Sequence, residues 1–600
     1  MSNSNCKVQR LRQLMARHGY DFYLVPSSDA HNNEYVPDYW QRRQWICEFD
    51  GSAGEALIGK DAAFVWTDGR YLLQAKEQLD QDIFTLKQQT RGMLELEIWL
   101  QENAQGRTLA IDPTTISIAR AQKIQRIMQS VTGRCVFNVN NLIDQIRVDD
   151  NHLLSPTVEP VILHKLKYAG CSTAEKMALI RNTMLTQNVD VLIVTTLDEI
   201  AWALNIRGAD ILFNPVVISY LILTPKFCTL YIDLQKLTPL AKQYFAKHHI
   251  ECRNYQEFSK ALSACQGQIW LDNKTANYWI LQQLSSKTIH CFSPSPINLP
   301  KACKNSTEIN GAKSAHKKDA LAVIQFMSWL EKHHHRGISE IDAQERLLQF
   351  RQQQKNFQGP SFHTISGFAE NGAIIHYRAT NQTNKIIDNK NLYLFDSGGQ
   401  YLEGTTDITR TLHLGVPTSD QKKYYTLVLK GHLALQRINF PHRTTGQQLD
   451  VLARNALWQY HLDYPHGTGH GVGSFLCVHE GPQAISPLSN NQALLPGMIL
   501  SNEPGIYIEN GFGIRIENLC FVKETVQKSE NKFGVFYCFE DLTLVPYATN
   551  LIDMNYLSEQ EINQINHYHT RVKDEILPLI SDLELGKWLV KQTQEIDYKE

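Results

Sequence analysis

One stretch constrains this chain more than any other: Asp396-Ser-Gly-Gly-Gln-Tyr-Leu-Glu-Gly-Thr-Thr-Asp407. The apolar run Leu392-Tyr-Leu-Phe395 predicts a buried strand that delivers Asp396, and Gly398, Gly399 and Gly404 supply turn residues. From Asp407 to His413 the pattern alternates, with Asp407, Thr409, Thr411 and His413 on one face. A hairpin-like return of this kind lays Asp396 beside Asp407. Two carboxylates that close repel unless they share a proton or a cation.

Four further pieces go with it, all but His376 downstream. His466-Gly-Thr-Gly-His470-Gly-Val-Gly473 places glycine at every second position, which lets another backbone approach closely. Asn502-Glu503-Pro504-Gly505 carries a glutamate that Pro504 biases towards extended backbone. Ile514-Arg515-Ile516-Glu517 alternates and is expected as a strand with Arg515 and Glu517 on one face. His376 and His479 each end an apolar run. Singly, each piece has an ordinary reading as a core histidine, a solvated turn or a surface ion pair. Together, Asp396, Asp407, Glu503 and Glu517 bring four negative charges and His470 one imidazole, a set that two divalent cations would neutralise. Oxygen-dominated ligation with one nitrogen suits Mn²⁺, Co²⁺ or Zn²⁺ better than a structural Cys/His zinc site.

A chain of 600 residues is too long for one core. The helix-to-strand unit His18-Gly-Tyr-Asp-Phe-Tyr-Leu-Val25 recurs in pattern as Gln187-Asn-Val-Asp-Val-Leu-Ile-Val194, with Asp21 over Asp190. The expected organisation is an N-terminal α/β domain over 1–155, a second of similar construction over 156–305, and a catalytic domain with C-terminal extension over 306–600. That last domain is expected to open with a long helix from Ser314 to about His334, followed by a helix capped by Ser339 and Asp342. His333-His-His335 at the helix end point in different directions and read as a favourable cationic terminus. A net charge of −2 calls for neither nucleic acid nor an anionic membrane as partner. The N-terminus lacks the apolar core of a signal peptide, and the 12 cysteines contain no C-x-x-C pair. The expected location is the cytoplasm.

The run from Asp396 to Asp407, His466-Gly-Thr-Gly-His470, Asn502-Glu-Pro-Gly505 and Arg515-Ile-Glu-Asn518 closely resembles the pita-bread metallopeptidases. Within them the chain resembles the three-domain, cytosolic Xaa-Pro aminopeptidases. Ser28-Asp-Ala-His31, Phe49-Asp-Gly-Ser-Ala-Gly54 and Trp66-Thr-Asp-Gly-Arg-Tyr71 carry the likeness in the first domain, and Asn205-Ile-Arg-Gly208 in the second. The resemblance implies two creatinase-like α/β domains before an α+β pita-bread domain. It also implies removal of the N-terminal residue from peptides with proline second. Asp396, Asp407, His470, Glu503 and Glu517 are the implied ligands of two metal ions, with manganese expected. Asp407 and Glu517 would bridge both ions, Asp396 would hold one, and His470 and Glu503 the other.

On the same resemblance a hydroxide shared by the metals is the nucleophile, and Glu503 relays its proton. His376, His466 and His479 position substrate and move protons, and Arg515 orients Asp396. A homodimer is implied as well. A dead scaffold or a metal-free creatinase-like enzyme would show substituted ligands, and all five are present. Prolidase and methionine aminopeptidase are the nearer alternatives, and the two preceding domains argue against the latter.

Overall fold

The helix-to-strand unit seen twice in the sequence seeds two sheets of the same construction in the computed structural model, which describes residues 3–90, 95–149, 158–525 and 533–597. The first sheet runs in the order Phe84–Gln88, Ala63–Thr67, Glu55–Gly59, Phe22–Pro26, Thr108–Ile111, Arg134–Phe137. The second runs Ile250–Asn254, Cys228–Ile232, Ser219–Leu223, Val191–Val194, Gln268–Leu271, Ile289–Phe292. In each, the seed strand has an antiparallel neighbour on one side and a parallel neighbour on the other. The paired aspartates do the same work. Asp21 accepts a 2.8 Å hydrogen bond from the Thr108 amide, and Asp190 one of 2.8 Å from the Gln268 amide. Each satisfies a donor at the start of the parallel neighbour, where the ladder has no partner to offer.

The chain divides into two compact units, one built on these two sheets and one comprising Lys167–Gly170 with Leu299–Glu600. The second unit is an α/β assembly whose long helix starts at Ser306, earlier than the apolar pattern indicated, and ends at His333. Asn305 accepts from the amides of Thr307 and Glu308, and Glu308 bonds back to the Asn305 amide at 3.0 Å. This capping box fixes the start independently of the apolar stripe. At the other end His333 Nδ1 and His334 Nδ1 bond the carbonyls of Trp329 and Glu331, so the histidine run finishes the helix. Among the described residues, no helix is long and apolar enough to cross a membrane.

Two sheets supply the catalytic motifs. A three-stranded sheet centres on Leu392–Ser397, flanked by Ile365–Phe368 and Ile408–His413, with Asp396 opposite both Ile365 and Thr409. A six-stranded antiparallel sheet carries Gly469–Gly471, Ile499–Asn502 and Asn518–Glu524. The expected continuous strand through Arg515 and Glu517 is instead broken. Phe512–Arg515 pairs with Gly505–Ile508 in a two-stranded ribbon, and the six-stranded sheet is entered only at Asn518. At the break, the Ile516 amide bonds the Pro504 carbonyl and the Glu517 amide bonds Thr409. The alternation in the sequence is real, and tertiary partners divide it between two sheets.

The segment that leads to His376 is tied down by one buried carboxylate. Glu340 is 0 % exposed and accepts from the amides of Phe368 and Lys385, from Asn371 Nδ2 and from the Tyr377 hydroxyl. Replacing it strands several buried donors at once. Glu340→Ala should therefore lose about 3 kcal/mol of stability or more in denaturant unfolding of the intact chain. A loss under about 1 kcal/mol would show that these donors find other partners.

Candidate metal centre

Arg515 organises one side of the cleft. Its Nη2 donates to Asp396 Oδ2 at 2.6 Å, its Nε to Thr409 Oγ1 at 3.1 Å, and its Nη1 to the Tyr507 hydroxyl at 2.7 Å. The Thr409 hydroxyl in turn donates to Glu517 Oε2 at 2.8 Å. One oxygen of each carboxylate is thereby fixed. The other oxygens, Asp396 Oδ1 and Glu517 Oε1, are buried with no hydrogen-bond partner among the described residues, and so is Asp407 Oδ1. Donor atoms of Asp396, Asp407 and Glu517 lie within 4.8 Å of one another.

The alternating glycines bring the second side close. A β-carbon at Gly469 would collide with the Ser501 carbonyl, and one at Gly471 with that of Glu480. His470 therefore sits on a short strand squeezed between two neighbours. Its Nδ1 meets the Gly471 carbonyl at 3.0 Å, so Nδ1 carries a proton and Nε2 is the nitrogen a cation could take once the ring is neutral. Nε2 faces Asp407 Oδ2 at 3.4 Å and Glu503 Oε1 at 3.7 Å. Donors of His470, Glu503 and Glu517 form a second close group, and those of Asp407, His470 and His479 a third. The His479 ring stands edge-on to His470 with centroids 4.4 Å apart.

Such a cluster is costly without a cation. Burial, reinforced by the charges of Asp407 and Glu503, pushes Asp396 up to about 7 despite its guanidinium partner. Burial and the neighbouring carboxylates hold Glu517 well above the usual range and raise Glu503. Burial acts to lower His470, but Asp407 and Glu503 outweigh it and carry the imidazole up to about 9. Every one of these shifts is a demand for positive charge. Three orphaned carboxylate oxygens and one lone pair, converging at this spacing, fit divalent cations.

The remaining expected residues divide. His466 has both ring nitrogens engaged, with the Gly467 carbonyl at 2.7 Å and the Tyr507 hydroxyl at 2.8 Å. His376 belongs to none of the close donor groups; its neighbour Ile375 is reached by Arg515 Nη2 at 3.4 Å. Tyr507 links Arg515 to His466, and sequence reasoning missed it. Only its place two residues after Gly505, between two expected ligands, could have marked it. None of the 12 cysteines joins the cluster.

Comparison with known proteins agrees with this arrangement. Residues 310–524 match metallopeptidase family M24, and 535–596 match the C-terminal region of that peptidase family. Residues 7–148 and 154–308 each match a creatinase/prolidase N-terminal domain. Aminopeptidase P2 of Arabidopsis thaliana is 38% identical over 98% of this chain and 88% of its own length. Xaa-Pro aminopeptidase 1 of Dictyostelium discoideum is 40% identical over 98% of this chain and 96% of its own. The crystal structure of X-prolyl aminopeptidase from Caenorhabditis elegans, described as a cytosolic enzyme with a di-nuclear active site, is 33% identical. It covers 99% of this chain and 100% of its own, with a TM-score of 0.94. On full-length similarity of this order, the chain belongs to the aminopeptidase P group of the M24 metallopeptidases.

Proposed function

We propose that this enzyme removes the N-terminal residue from peptides with proline in the second position, using two divalent cations held by Asp396, Asp407, His470, Glu503 and Glu517. The observation that carries the reading is the convergence of the three unpartnered oxygens of Asp396, Asp407 and Glu517 beside His470 Nε2. Asp407, Glu517 and His470 each belong to two of the close donor groups, and of the three only the carboxylates have two oxygens to offer, which supports Asp407 and Glu517 as the residues that would serve both cations. Asp396 then serves one, and His470 with Glu503 the other. The oxygen-rich set favours manganese, with cobalt or zinc as alternatives. Cations in that position lower the pKa of water and polarise the scissile carbonyl.

The side chains divide the remaining work. Glu503, with its raised proton affinity, accepts the proton of the attacking water and relays it to the departing nitrogen. His479, on the rim beside His470, donates to the oxygen on which charge develops. His376 holds the leaving side. Arg515 favours the ionised form of Asp396 and fixes its orientation, while the Tyr507 hydroxyl accepts from Arg515 and donates to His466, holding that ring in one tautomer. A proline nitrogen has no N–H and a fixed φ, which generic peptidases accommodate poorly, and a site shaped for that ring is a specialisation worth a dedicated enzyme. The similarity to Xaa-Pro aminopeptidases supports this substrate class, and the cytosolic Caenorhabditis elegans relative supports a cytoplasmic location. A homodimer belongs to the same reading, with neither nucleic acid nor membrane as partner.

The test pairs elemental analysis with cleavage of Xaa-Pro-Yaa tripeptides and Xaa-Pro dipeptides, on enzyme whose mass is taken by light scattering. Two divalent ions per chain, preference for the tripeptide and a mass of about twice 68.7 kDa are expected. One metal per chain, or a preference for the dipeptide, would contradict the proposal. Glu503→Gln and Asp407→Asn should each abolish turnover while the first unit keeps its own melting transition, since that unit has separate cores. Loss of the whole cooperative melt in either variant would count against a local role. His376→Ala and His479→Ala should each lower kcat by ~100-fold with two metals still bound, because their bonds strengthen only as charge develops. Full kcat with two metals bound would assign them to packing, and lost metal would make the residue a ligand.

A further inference from the structure

Arg410 lies beneath the metal centre and has no part in the roles assigned so far. It is 0 % exposed and, among the described residues, makes no ion pair. Its guanidinium donates to neutral oxygens, four backbone carbonyls and two side chains. Nε donates to the Pro546 carbonyl at 3.1 Å. Nη2 donates to Asn518 Oδ1 at 2.8 Å, the Val545 carbonyl at 2.7 Å and the Tyr568 hydroxyl at 3.2 Å. Nη1 donates to the Thr409 carbonyl at 2.9 Å and the Glu517 carbonyl at 2.7 Å. The Tyr547 ring centroid is 5.1 Å from Cζ. The charge of buried Asp541 acts on it without a direct bond, so neutral oxygens alone hold the guanidinium in place, and a buried cation held in this way is expensive to keep unless its geometry serves something.

What it serves is the seam between the two sheets. Asp407 precedes the strand Ile408–His413 of the three-stranded sheet, and Glu517 precedes Asn518–Glu524 of the six-stranded one. No ladder joins those strands, whose pairings run to other neighbours. The separation of Asp407 from Glu517 is therefore set by individual bonds. Thr409 receives the Glu517 amide at 3.1 Å and binds its Oε2 through the hydroxyl. Arg410 closes the loop by holding the carbonyls of Thr409 and Glu517 on one nitrogen. Only a planar fork reaches this many acceptors, and a lysine ammonium has three donors on a single point.

We infer that Arg410 is a positioning residue for the metal pair: it sets the spacing between Asp407 and Glu517 on which simultaneous binding of two cations depends. The inference rests on the metal-centre reading above, and titration separates the two. Mn²⁺ is titrated calorimetrically into metal-stripped wild-type, Arg410→Lys and Asn518→Ala chains, with melting followed in parallel. Wild type should take up two ions. Arg410→Lys should bind the first within about threefold of wild type and the second at least ~10-fold more weakly, in the range seen when groups behind metal ligands are removed. Its kcat should fall with KM little changed.

Two Mn²⁺ bound with wild-type affinity by Arg410→Lys, with only the melting temperature lowered, would overturn the inference in favour of a purely structural role. If Arg410→Lys does not fold, Asn518→Ala decides, since it removes one acceptor of the guanidinium, along with a donor to the Tyr547 hydroxyl, and leaves Arg410 itself unchanged. Severalfold weaker second-ion binding supports the inference, and unchanged binding overturns it. A wild-type chain that takes up a single Mn²⁺ overturns the metal-centre reading, and this inference with it.

Discussion

Mutual repulsion among four carboxylates in one buried cleft is the constraint that the catalytic unit is arranged around. Asp396, Asp407, Glu503 and Glu517 share the space with a single guanidinium, that of Arg515. Left to themselves they would hold protons, as the raised pKa of Asp396 and Glu517 shows. The fold does not relieve this by solvating them. It uses one oxygen of Asp396 and one of Glu517 to lock orientation and leaves the other bare. Glu340, which ties down backbone, has both of its oxygens satisfied instead.

That arrangement depends on two sheets meeting without a shared ladder. A continuous ladder would fix spacing through many equivalent bonds and leave no cleft. Here a few bonds at Thr409, Arg410 and Arg515 hold the gap. The same economy governs the rim. Glu480, the residue after His479, is held by the ammonium groups of both Lys301 and Lys304, all three buried. Two cations on one carboxylate anchor the backbone from which His479 projects, so a partly exposed ring keeps a defined position.

The motifs of the site were legible because their chemistry is local. The strand into Asp396 and the squeezed glycines at 469 and 471 each declare themselves within a dozen residues. What escaped notice is long-range. Nothing near Arg410 says that its partners are Val545, Pro546 and Tyr568, more than a hundred residues away. Nor does the alternation of Ile514 to Glu517 reveal that Arg515 and Glu517 belong to different neighbourhoods. Tyr507 was missed because a tyrosine after a turn has no pattern of its own, and its meaning comes from Arg515 and His466. The early start of the long helix was legible in Asn305 and Glu308, and was obscured by giving the apolar stripe precedence over the cap.

The charge balance of the centre also suggests why Arg515 is present at all. With the two divalent cations proposed above, the four carboxylates would be cancelled, and a cancelled site has no preference between substrate and transition state. The guanidinium in contact with the carboxylates adds one positive charge to that count before any hydroxide binds, and Arg410, bonded to the Glu517 carbonyl, is a second buried cation behind it. Peptide hydrolysis develops one negative charge on oxygen as water attacks, so the site is complementary to the reaction's course more than to its start. Placing the surplus on Arg515, which is bonded to Asp396, Thr409 and Tyr507, keeps it from moving or titrating away. A lysine at that position could lose its proton in so buried a place, and the preference would go with it.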